Sequence, residues 1–278
     1  MFLFVLCLLC SLGATSGIYF GLGLYHDWWW FWVFLVGVPG LSLFTFFLYI
    51  VFLVVVGKMF SKTKEYHSTN RFILFMVQQT CWMVVLFLHI HIHDNGLYKS
   101  LPDEPFLLIS NHLSNFDQIV FLAKVRPSKH PLICITKEEN FHFPIIGPWI
   151  KKAGYLSIDR ENPIKAKKAL EEAIERMGKE KVSIYVCPEG TRSKDHHLHE
   201  FKVAPFSIAS ETGCPLVKMA IRDTYLVAYN ALKRKTRVFF DHLGTIQGEE
   251  TKGANPATLS AQCHEELMRF FVSKGVEA

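Results

Sequence analysis

One histidine and one aspartate, His112 and Asp117, lie between two apolar runs in the stretch LLISNHLSNFDQIVFL, residues 107 to 122. On a single helix, residues five apart point about 140° away from each other, so two mid-helix side chains at this spacing cannot meet. The pair can cooperate only if His112 precedes the helix and Asp117 lies in its first turn, with Ser114 as the N-cap. A carboxylate placed there would orient the histidine ring and stabilise its charged form, which is how a general base is built.

The same residues allow a purely structural interpretation. SNFD is also a Ser-x-x-Asp capping box, in which Asp117 does no more than cap the helix. From this stretch alone, catalysis and capping both remain open.

A second block, VSIYVCPEGTRSK, runs a predicted buried strand into a glycine turn. Backbone donors, a hydroxyl and a guanidinium fork after a strand end are suited to holding a phosphate. The block matches neither the P-loop nor the dinucleotide fingerprint, because both demand more glycines at fixed offsets. The alternative is a tight turn whose Arg192 pairs with a surface carboxylate. The residues concerned are Pro188, Glu189, Gly190, Thr191, Arg192 and Ser193.

A third block, ITKEENFHFPIIGPWIKKAGYLSIDR, predicts by itself only a loop, a turn and a strand. In this order and spacing, however, the three blocks together resemble the 1-acylglycerol-3-phosphate acyltransferases of phospholipid synthesis. NHLSNFD matches the His-four-residues-Asp signature of that family, and PEGTRS matches its third block. The later stretch FKVAPFSIASETGCPLVKMAI is similar to its fourth block, so the resemblance covers about residues 95 to 240.

The resemblance implies a mechanism that agrees with the residue spacing. His112, held by Asp117, would deprotonate a glycerol hydroxyl, which would then attack the thioester of acyl-CoA or acyl carrier protein without a covalent acyl-enzyme. The implied acceptor is lysophosphatidate and the product phosphatidate. Glycerol 3-phosphate or another lysophospholipid is the alternative acceptor. No cofactor is expected.

The resemblance also implies a substrate-binding set. Lys137 and Arg192 would clamp the acceptor phosphate, and Arg160 and Lys202 would assist, with a structural ion pair as the alternative for either. The residues expected to shape the pocket are Glu189, Gly190, Thr191 and Ser193.

These side chains must be positioned by alternating strands and helices, so the fold expected is α/β, with a mixed sheet flanked by helices and preceded by membrane helices. The pattern HIHIH alternates strictly and turns at DNG, which predicts a strand at residues 89–93. The other predicted strands lie at 106–110, 132–136, 182–187, 215–221 and 236–240. The predicted helices begin near 115 and cover 163–177, 203–212 and 256–273.

The amino-terminal part of the chain differs from the rest. No Lys or Arg precedes Lys58, and Asp27 is the one acidic residue there. Residues 1–24 and 28–57 are each near or above the ~20 apolar residues that cross a bilayer as a helix. Four tryptophans in YHDWWWFW suit the interface between water and lipid. We therefore expect two transmembrane helices within residues 1–57.

The segment 58–93 is predicted to hold a basic cytoplasmic loop and an interfacial or re-entrant helix at 72–88, which Gln78 and Gln79 interrupt. A further membrane span at 72–88 is the alternative. The acyltransferase domain is expected at 94–278, on the cytoplasmic side of a bacterial plasma membrane. The formal net charge of +5 suits an anionic membrane surface or phosphorylated substrates. Because the basic residues form no long runs, nucleic acid is not an expected partner.

The cysteine and histidine residues give only weak indications of disulfide bonds or a metal site. The chain has seven cysteines, an odd and scattered number that favours free thiols over a disulfide framework. The HIHIH and DHHLH stretches have a metal-like appearance, but 13 histidines make such clusters common by chance, and no metal site is predicted. If DHHLH did bind metal, the protein would be a metal-dependent phosphohydrolase. An inactive lipid-binding relative is the remaining alternative.

Overall fold

A computed structural model of the chain describes residues 2–23, 28–60, 70–125, 130–159, 162–231 and 233–275. The chain divides into two compact units. The smaller one comprises Met1–Lys64 with Phe143–Trp149, and the larger one comprises Glu65–His142 with Ile150–Ala278. The larger unit therefore begins well before residue 94, where the sequence analysis places the start of the acyltransferase domain.

The smaller unit contains two helices, α1 (Phe2–Gly21) and α2 (Trp29–Met59), which pack against each other. Small residues lie where they meet, since a Cβ added to Gly37 would come within 3.2 Å of Thr15. Within the same unit, the Trp149 indole donates a hydrogen bond of 2.9 Å to the Leu53 carbonyl.

The described part of the chain contains one helical stretch that is long and apolar enough to cross a membrane, Leu35–Met59. The stretches Leu8–Gly21 and Arg71–Phe87 are apolar but shorter. Both predicted transmembrane segments are thus helices, while it stays a prediction that each of them crosses the membrane. The basic loop falls on residues 61–69, which lie outside the described residues.

The larger unit is built on a seven-stranded mixed sheet in the order β1-β7-β6-β2-β5-β3-β4. Its paired strands are parallel except for β6 and β7, which are antiparallel. The four residues of β2 are all buried, as expected for a central strand covered on both faces. The strands are β1 (Ile90–Asn95), β2 (Leu107–Ser110), β3 (Leu132–Lys137), β4 (Leu156–Ile158), β5 (Ser183–Val186), β6 (Leu216–Arg222) and β7 (Thr236–Ile246). The predicted mixed α/β fold is confirmed.

Helices flank this sheet, and two of the longer ones begin at an Asn-Pro pair. The side chains of Asn162 and Asn255 accept hydrogen bonds from the first free backbone N–H groups, and the following proline occupies the first turn. These helices are α3 (Arg71–Phe87), α4 (Leu97–Ser100), α5 (Phe116–Lys124), α7 (Pro163–Glu180), α8 (Ser207–Thr212), α9 (Leu226–Asn230), α10 (Gly248–Thr251) and α11 (Pro256–Ser273). Helix α6 (Gly147–Lys152) has residues in both units. Short 3-10 helices cover Glu138–His142 and Ala204–Phe206.

Helix α3 packs against α5 inside the larger unit. The two glutamines that interrupt its apolar run have a structural role here, since the Gln78 amide donates to the carbonyls of Leu122 and Val125 and Gln79 is buried. One face of α3 therefore belongs to the core of this unit. Whether the helix also lies in the membrane interface stays a prediction.

Three local expectations differ from the structure. Strand β1 continues through Asp94 and Asn95, and the chain turns at Gly96, where φ is +91°. Strand β7 is longer than predicted because its pairing with β6 continues beyond an irregularity between Lys218 and Met219. The stretch FPIIGPW, predicted as a loop, includes the start of α6, in which a proline is compatible with the first turn.

Candidate active site

His112 lies just beyond the carboxyl end of the central strand β2. Its position depends on the preceding residue, Asn111, whose buried side chain donates to the Ile221 carbonyl at 2.9 Å and accepts from the Ile221 N–H at 2.8 Å. The chain leaving β2 is thereby bound to the neighbouring strand β6. Asn111 was not among the predicted site residues, although its place directly before the motif histidine was a usable signal.

Asp117 lies in the first turn of α5, as predicted, and is fully buried. Its Oδ2 is 2.7 Å from His112 Nδ1, and the histidine side chain is 15% exposed. Because a carboxylate accepts hydrogen bonds, Nδ1 carries the hydrogen of the neutral ring and Nε2 is left as the acceptor. The observed geometry is therefore the one that the spacing of His112 and Asp117 predicts.

The helix-capping interpretation is also correct in part. Asp117 Oδ2 accepts hydrogen bonds from the backbone N–H groups of Leu113 (2.8 Å) and Ser114 (3.0 Å). Helix α5 begins one residue later than a Ser114 N-cap requires, and the Ser114 hydroxyl accepts from Phe116 N at 3.0 Å. Asp117 thus closes the turn and holds the histidine at the same time.

The Ser114 hydroxyl donates to Asp117 Oδ1 at 3.3 Å, and a second hydroxyl reaches the same oxygen from a distant part of the chain. Thr224, fully buried after the end of β6, donates a hydrogen bond to Asp117 Oδ1. With this donor, the two N–H groups and the helix N-terminus, the negative charge of Asp117 is stabilised without water. Thr224 was not among the predicted site residues, because no local pattern in the sequence marks it.

Glu189 fixes the backbone of the same histidine. It is 3% exposed, and its two carboxylate oxygens accept from His112 N at 2.6 Å and from His199 N at 3.1 Å. Burial raises the pKa of the Glu189 carboxyl from 4.5 to about 7, although those two backbone hydrogen bonds oppose the shift. Glu189 does not line the cavity beside His112, so its contribution to the pocket is indirect.

The segment after Glu189 bends at Gly190, whose φ of +75° suits glycine. Ser193 is buried, donates its backbone N–H to the His112 carbonyl at 2.9 Å, and donates its hydroxyl to Asp195 at 3.0 Å. Desolvation raises the pKa of Asp195, but hydrogen bonds from Ser193, His197 and His199 outweigh it and lower the pKa to about 2. The PEGTRS turn is therefore bound directly to the His112 segment.

A cavity of about 650 Å³ opens beside His112 in the larger unit. Its basic side chains are Lys137, Arg192, Lys194 and Lys202. Lys137 is paired with Glu139 at 2.6 Å, whereas the other three form no ion pair with any described residue. Such a concentration of positive charge suits an anionic group such as a phosphate.

Most of the predicted substrate-binding residues meet in this cavity. Lys137, Gly190, Thr191, Arg192 and Lys202 line it, while Glu189 and Ser193 lie behind its wall. Arg160 lies outside the described residues. Lys194 also lines the cavity and was not among the predicted residues, although it directly follows PEGTRS.

The histidines of the HIHIH and DHHLH stretches contact aromatic rings and a carboxylate. On β1, His91 and His93 are exposed, and the His93 ring stacks on Phe239 at 4.8 Å. In DHHLH, the His196 ring stacks on Tyr225 at 3.9 Å, and His199 Nε2 lies 3.0 Å from Asp195. Within the described ranges, no three His, Cys, Asp or Glu residues are grouped so that they could hold a metal ion.

Fold and site together define an α/β protein in which a histidine beside a basic cavity is paired with a buried carboxylate. Comparisons with known proteins agree with this class. Residues 89–222 match the model of the family described as Acyltransferase. The crystal structure of the 1-acyl-sn-glycerophosphate (LPA) acyltransferase PlsC from Thermotoga maritima has a TM-score of 0.56 and 22% identity, covering 82% of this chain and 97% of that one.

Curated relatives include two bacterial proteins named 1-acyl-sn-glycerol-3-phosphate acyltransferase. The one from Escherichia coli (strain K12) is 31% identical over 118 residues, 42% of this chain and 47% of its own length. The one from Haemophilus influenzae is 25% identical over 159 residues, 57% of this chain and 65% of its own length. The chain spans about half the length of the former. The resemblance to this family predicted from the three sequence blocks is confirmed.

Proposed function

We propose that this protein is an acyltransferase that moves a fatty acyl group from acyl-CoA or acyl carrier protein to the free hydroxyl of lysophosphatidate, giving phosphatidate. The observation that carries this proposal is the 2.7 Å contact between His112 Nδ1 and the buried Asp117 carboxylate, beside a basic cavity. The names of the relatives support the choice of acceptor.

In the proposed reaction, His112 Nε2 takes the proton of the acceptor hydroxyl as its oxygen attacks the thioester carbonyl. The new C–O bond forms, the C–S bond breaks, and the imidazolium returns the proton to the leaving thiolate. Asp117 keeps the ring in the required tautomer and stabilises its charged form. General base catalysis of this kind contributes roughly 10²–10⁴-fold, and positioning of the substrates contributes much of the rest.

An acyl-enzyme on a cavity cysteine is the less favourable route. Cys187 lines the cavity, but burial raises the pKa of its thiol to about 12. The reactive thiolate is therefore scarce at neutral pH, and direct transfer from thioester to hydroxyl is the simpler scheme.

The acceptor phosphate has a matching set of cations. Arg192 can bind phosphate oxygens in a fork, and Lys137, Lys194 and Lys202 add charge around the same cavity. In the proposed complex, the phosphate lies at the PEGTRS turn and the acceptor hydroxyl lies at His112. Such a substrate is a membrane lipid, which agrees with our expectation of a multi-pass membrane protein with a cytoplasmic catalytic domain.

The test is transfer of a labelled oleoyl group from CoA or acyl carrier protein to lysophosphatidate and, separately, to glycerol 3-phosphate. We expect turnover on lysophosphatidate and a loss of at least about a hundredfold in His112→Ala. His91→Ala is the matched control, because His91 is exposed on β1 and does not line the cavity.

Other results of this assay would favour a different acceptor, an inactive protein or a different base. Turnover on glycerol 3-phosphate but not on lysophosphatidate would replace the proposed acceptor. Lipid binding without turnover for any donor and acceptor would make the protein an inactive relative. Equal activity of His112→Ala and wild type would remove the proposed base.

A further inference from the structure

The turn after strand β6, Asp223–Tyr225, contacts two parts of the site without lining its cavity. Asp223 has φ of +68°, a left-handed backbone conformation that L residues other than glycine rarely adopt. His196, which faces this turn, also has φ of +68°. Backbone strain of this kind persists only where the surrounding structure holds it, and it concentrates at functional sites.

Thr224 is the part of the turn that reaches the proposed base. Its hydroxyl donates to Asp117 Oδ1, while Oδ2 of the same carboxylate faces His112 Nδ1. The terminal torsion of an aspartate side chain has broad preferences, so a carboxylate held at one oxygen can rotate. Oδ1 also accepts from the Ser114 hydroxyl at 3.3 Å, a contact within the same turn, so Thr224 supplies the donor from outside that turn. It thereby ties the plane of the carboxylate, and through it the ring of His112, to the end of β6.

Tyr225 is the part of the turn that reaches the cationic loop. Its ring stacks on that of His196 at 3.9 Å with an angle of 25° between the planes. His196 follows Arg192 and Lys194 in the same loop, and three residues later the His199 N–H bonds to Glu189. Since the turn carries both Thr224 and Tyr225, one segment secures the base on one side and the basic loop on the other.

We infer that Asp223–Tyr225 is a positioning element with two separable tasks. Thr224 is a positioning residue for the His112–Asp117 pair, and Tyr225 is a positioning residue for the loop that binds the acceptor phosphate. The inference rests on the proposed acyl transfer. It requires that loss of the Thr224 hydroxyl lowers kcat and that loss of the Tyr225 ring raises the KM for lysophosphatidate.

The first experiment compares Thr224→Val, Thr224→Ser and Thr251→Val with wild type. Thr224→Val removes the hydroxyl at nearly constant volume and should lower kcat about tenfold or more, with the KM of both substrates within about twofold of wild type. Thr224→Ser keeps the hydroxyl and should recover most of kcat. Thr251 is the matched control, because it is equally buried and donates to the Cys214 carbonyl at 2.8 Å, away from the pair.

The Thr224 assignment is overturned if Thr224→Val keeps wild-type kcat. It is also overturned if Thr224→Val and Thr251→Val lose kcat equally, because the loss would then reflect stability alone.

The second experiment compares Tyr225→Leu, Tyr225→Phe and Tyr229→Leu. Tyr225→Leu removes the ring and should raise the KM for lysophosphatidate about fivefold or more with little change in kcat, whereas Tyr225→Phe keeps the stacking ring and should resemble wild type. Tyr229 is the matched control, because it lies on the adjoining helix α9 and is 67% exposed. An unchanged KM in Tyr225→Leu would overturn this half of the inference.

A third measurement does not depend on activity and so separates this inference from the proposed function. In a double-mutant cycle followed by thermal unfolding, Thr224→Val and Asp117→Asn should be non-additive, while Thr251→Val and Asp117→Asn should be additive. If the two mutations are non-additive but the protein transfers no acyl group to any acceptor, the acyltransferase proposal is overturned while the Thr224–Asp117 contact is established. Additivity of the Thr224 pair would overturn the contact itself.

Discussion

At the scale of single residues, the site uses two buried carboxylates for two different tasks on one histidine. Asp117 holds the ring of His112, and Glu189 holds its backbone N–H. Asp117 has several donors and a helix N-terminus around it, while Glu189 has two backbone N–H groups and a pKa raised to about 7 by burial. Glu189 is therefore the residue at which pH acts on the support of the site.

The Glu189 shift predicts how stability depends on pH. The folded protein keeps the proton up to about pH 7, whereas an ordinary carboxyl in the unfolded chain loses it near 4.5. The free energy of unfolding should therefore fall as pH rises from about 4.5 to 7 and then level off, by up to about 3 kcal/mol from this group. Thermal unfolding of wild type and Glu189→Gln between pH 4 and 8 measures the effect, since the difference between the two proteins isolates Glu189. If the difference in stability between wild type and Glu189→Gln stayed constant from pH 4 to 8, the prediction would be contradicted.

At the scale of secondary structure elements, the turn before β4 helps to position Lys137. Gly154 in this turn has φ of +78°, and a Cβ added there would lie 2.6 Å from Arg176 Nη2. The Arg176 guanidinium is buried and also pairs with Glu180 at 3.2 Å. Since Ile158 of β4 pairs with Lys137 at the end of β3, the turn and helix α7 together hold one side of the cavity.

Two glycine substitutions should therefore change the free energy of unfolding in opposite directions. Gly154→Ala should lower the free energy of unfolding by about 1–3 kcal/mol, because the alanine needs a strained backbone and displaces a buried guanidinium. Gly178→Ala, in the last turn of α7 with open space around it, should raise it by up to about 1 kcal/mol. Thermal unfolding of each purified variant and of wild type in detergent measures these changes in stability. A Gly154→Ala protein as stable as wild type would show that the turn relaxes without strain.

At the scale of the whole molecule, charge and apolar character are separated along the chain. No basic residue precedes Lys58, the apolar stretch Leu35–Met59 is long enough to cross a membrane, and the basic cavity belongs to the other unit. The excess of positive charge in the loop after Lys58 favours a cytoplasmic position for that loop. If residues 1–24 also cross the membrane, the amino terminus is cytoplasmic as well.

This topology predicts which engineered thiols an impermeant reagent can reach. In a background without the exposed Cys10 and without Cys7, Ser68→Cys should react only after the membrane is permeabilised, while Asp27→Cys should react in intact cells. Labelling with an impermeant maleimide makes the comparison, with each variant serving as the control for the other. Reaction of Ser68→Cys from outside would reverse the orientation, and protection of both positions would mean that residues 28–57 do not cross.

The sequence alone determined the class of fold and the heart of the site. Alternating strand and helix patterns determined the α/β class, and the spacing of His112 and Asp117 determined which residue precedes the helix and which lies in its first turn. These are local properties, because helix periodicity, capping and strand burial depend on neighbours a few residues away. For the same reason, the positions of α5, α7 and α11 were predicted to within a few residues.

Only the tertiary structure decided which distant residues complete the site. Thr224 meets Asp117, and Glu189 meets the His112 backbone, because β2, β5 and β6 are adjacent parallel strands whose carboxyl ends lie at one edge of the sheet. Strand order is set by the packing of the whole sheet, so no local pattern marks Thr224 as a partner. The task of Glu189 was likewise hidden, since the PEGTRS block looks the same whether its acid faces the cavity or the backbone behind it.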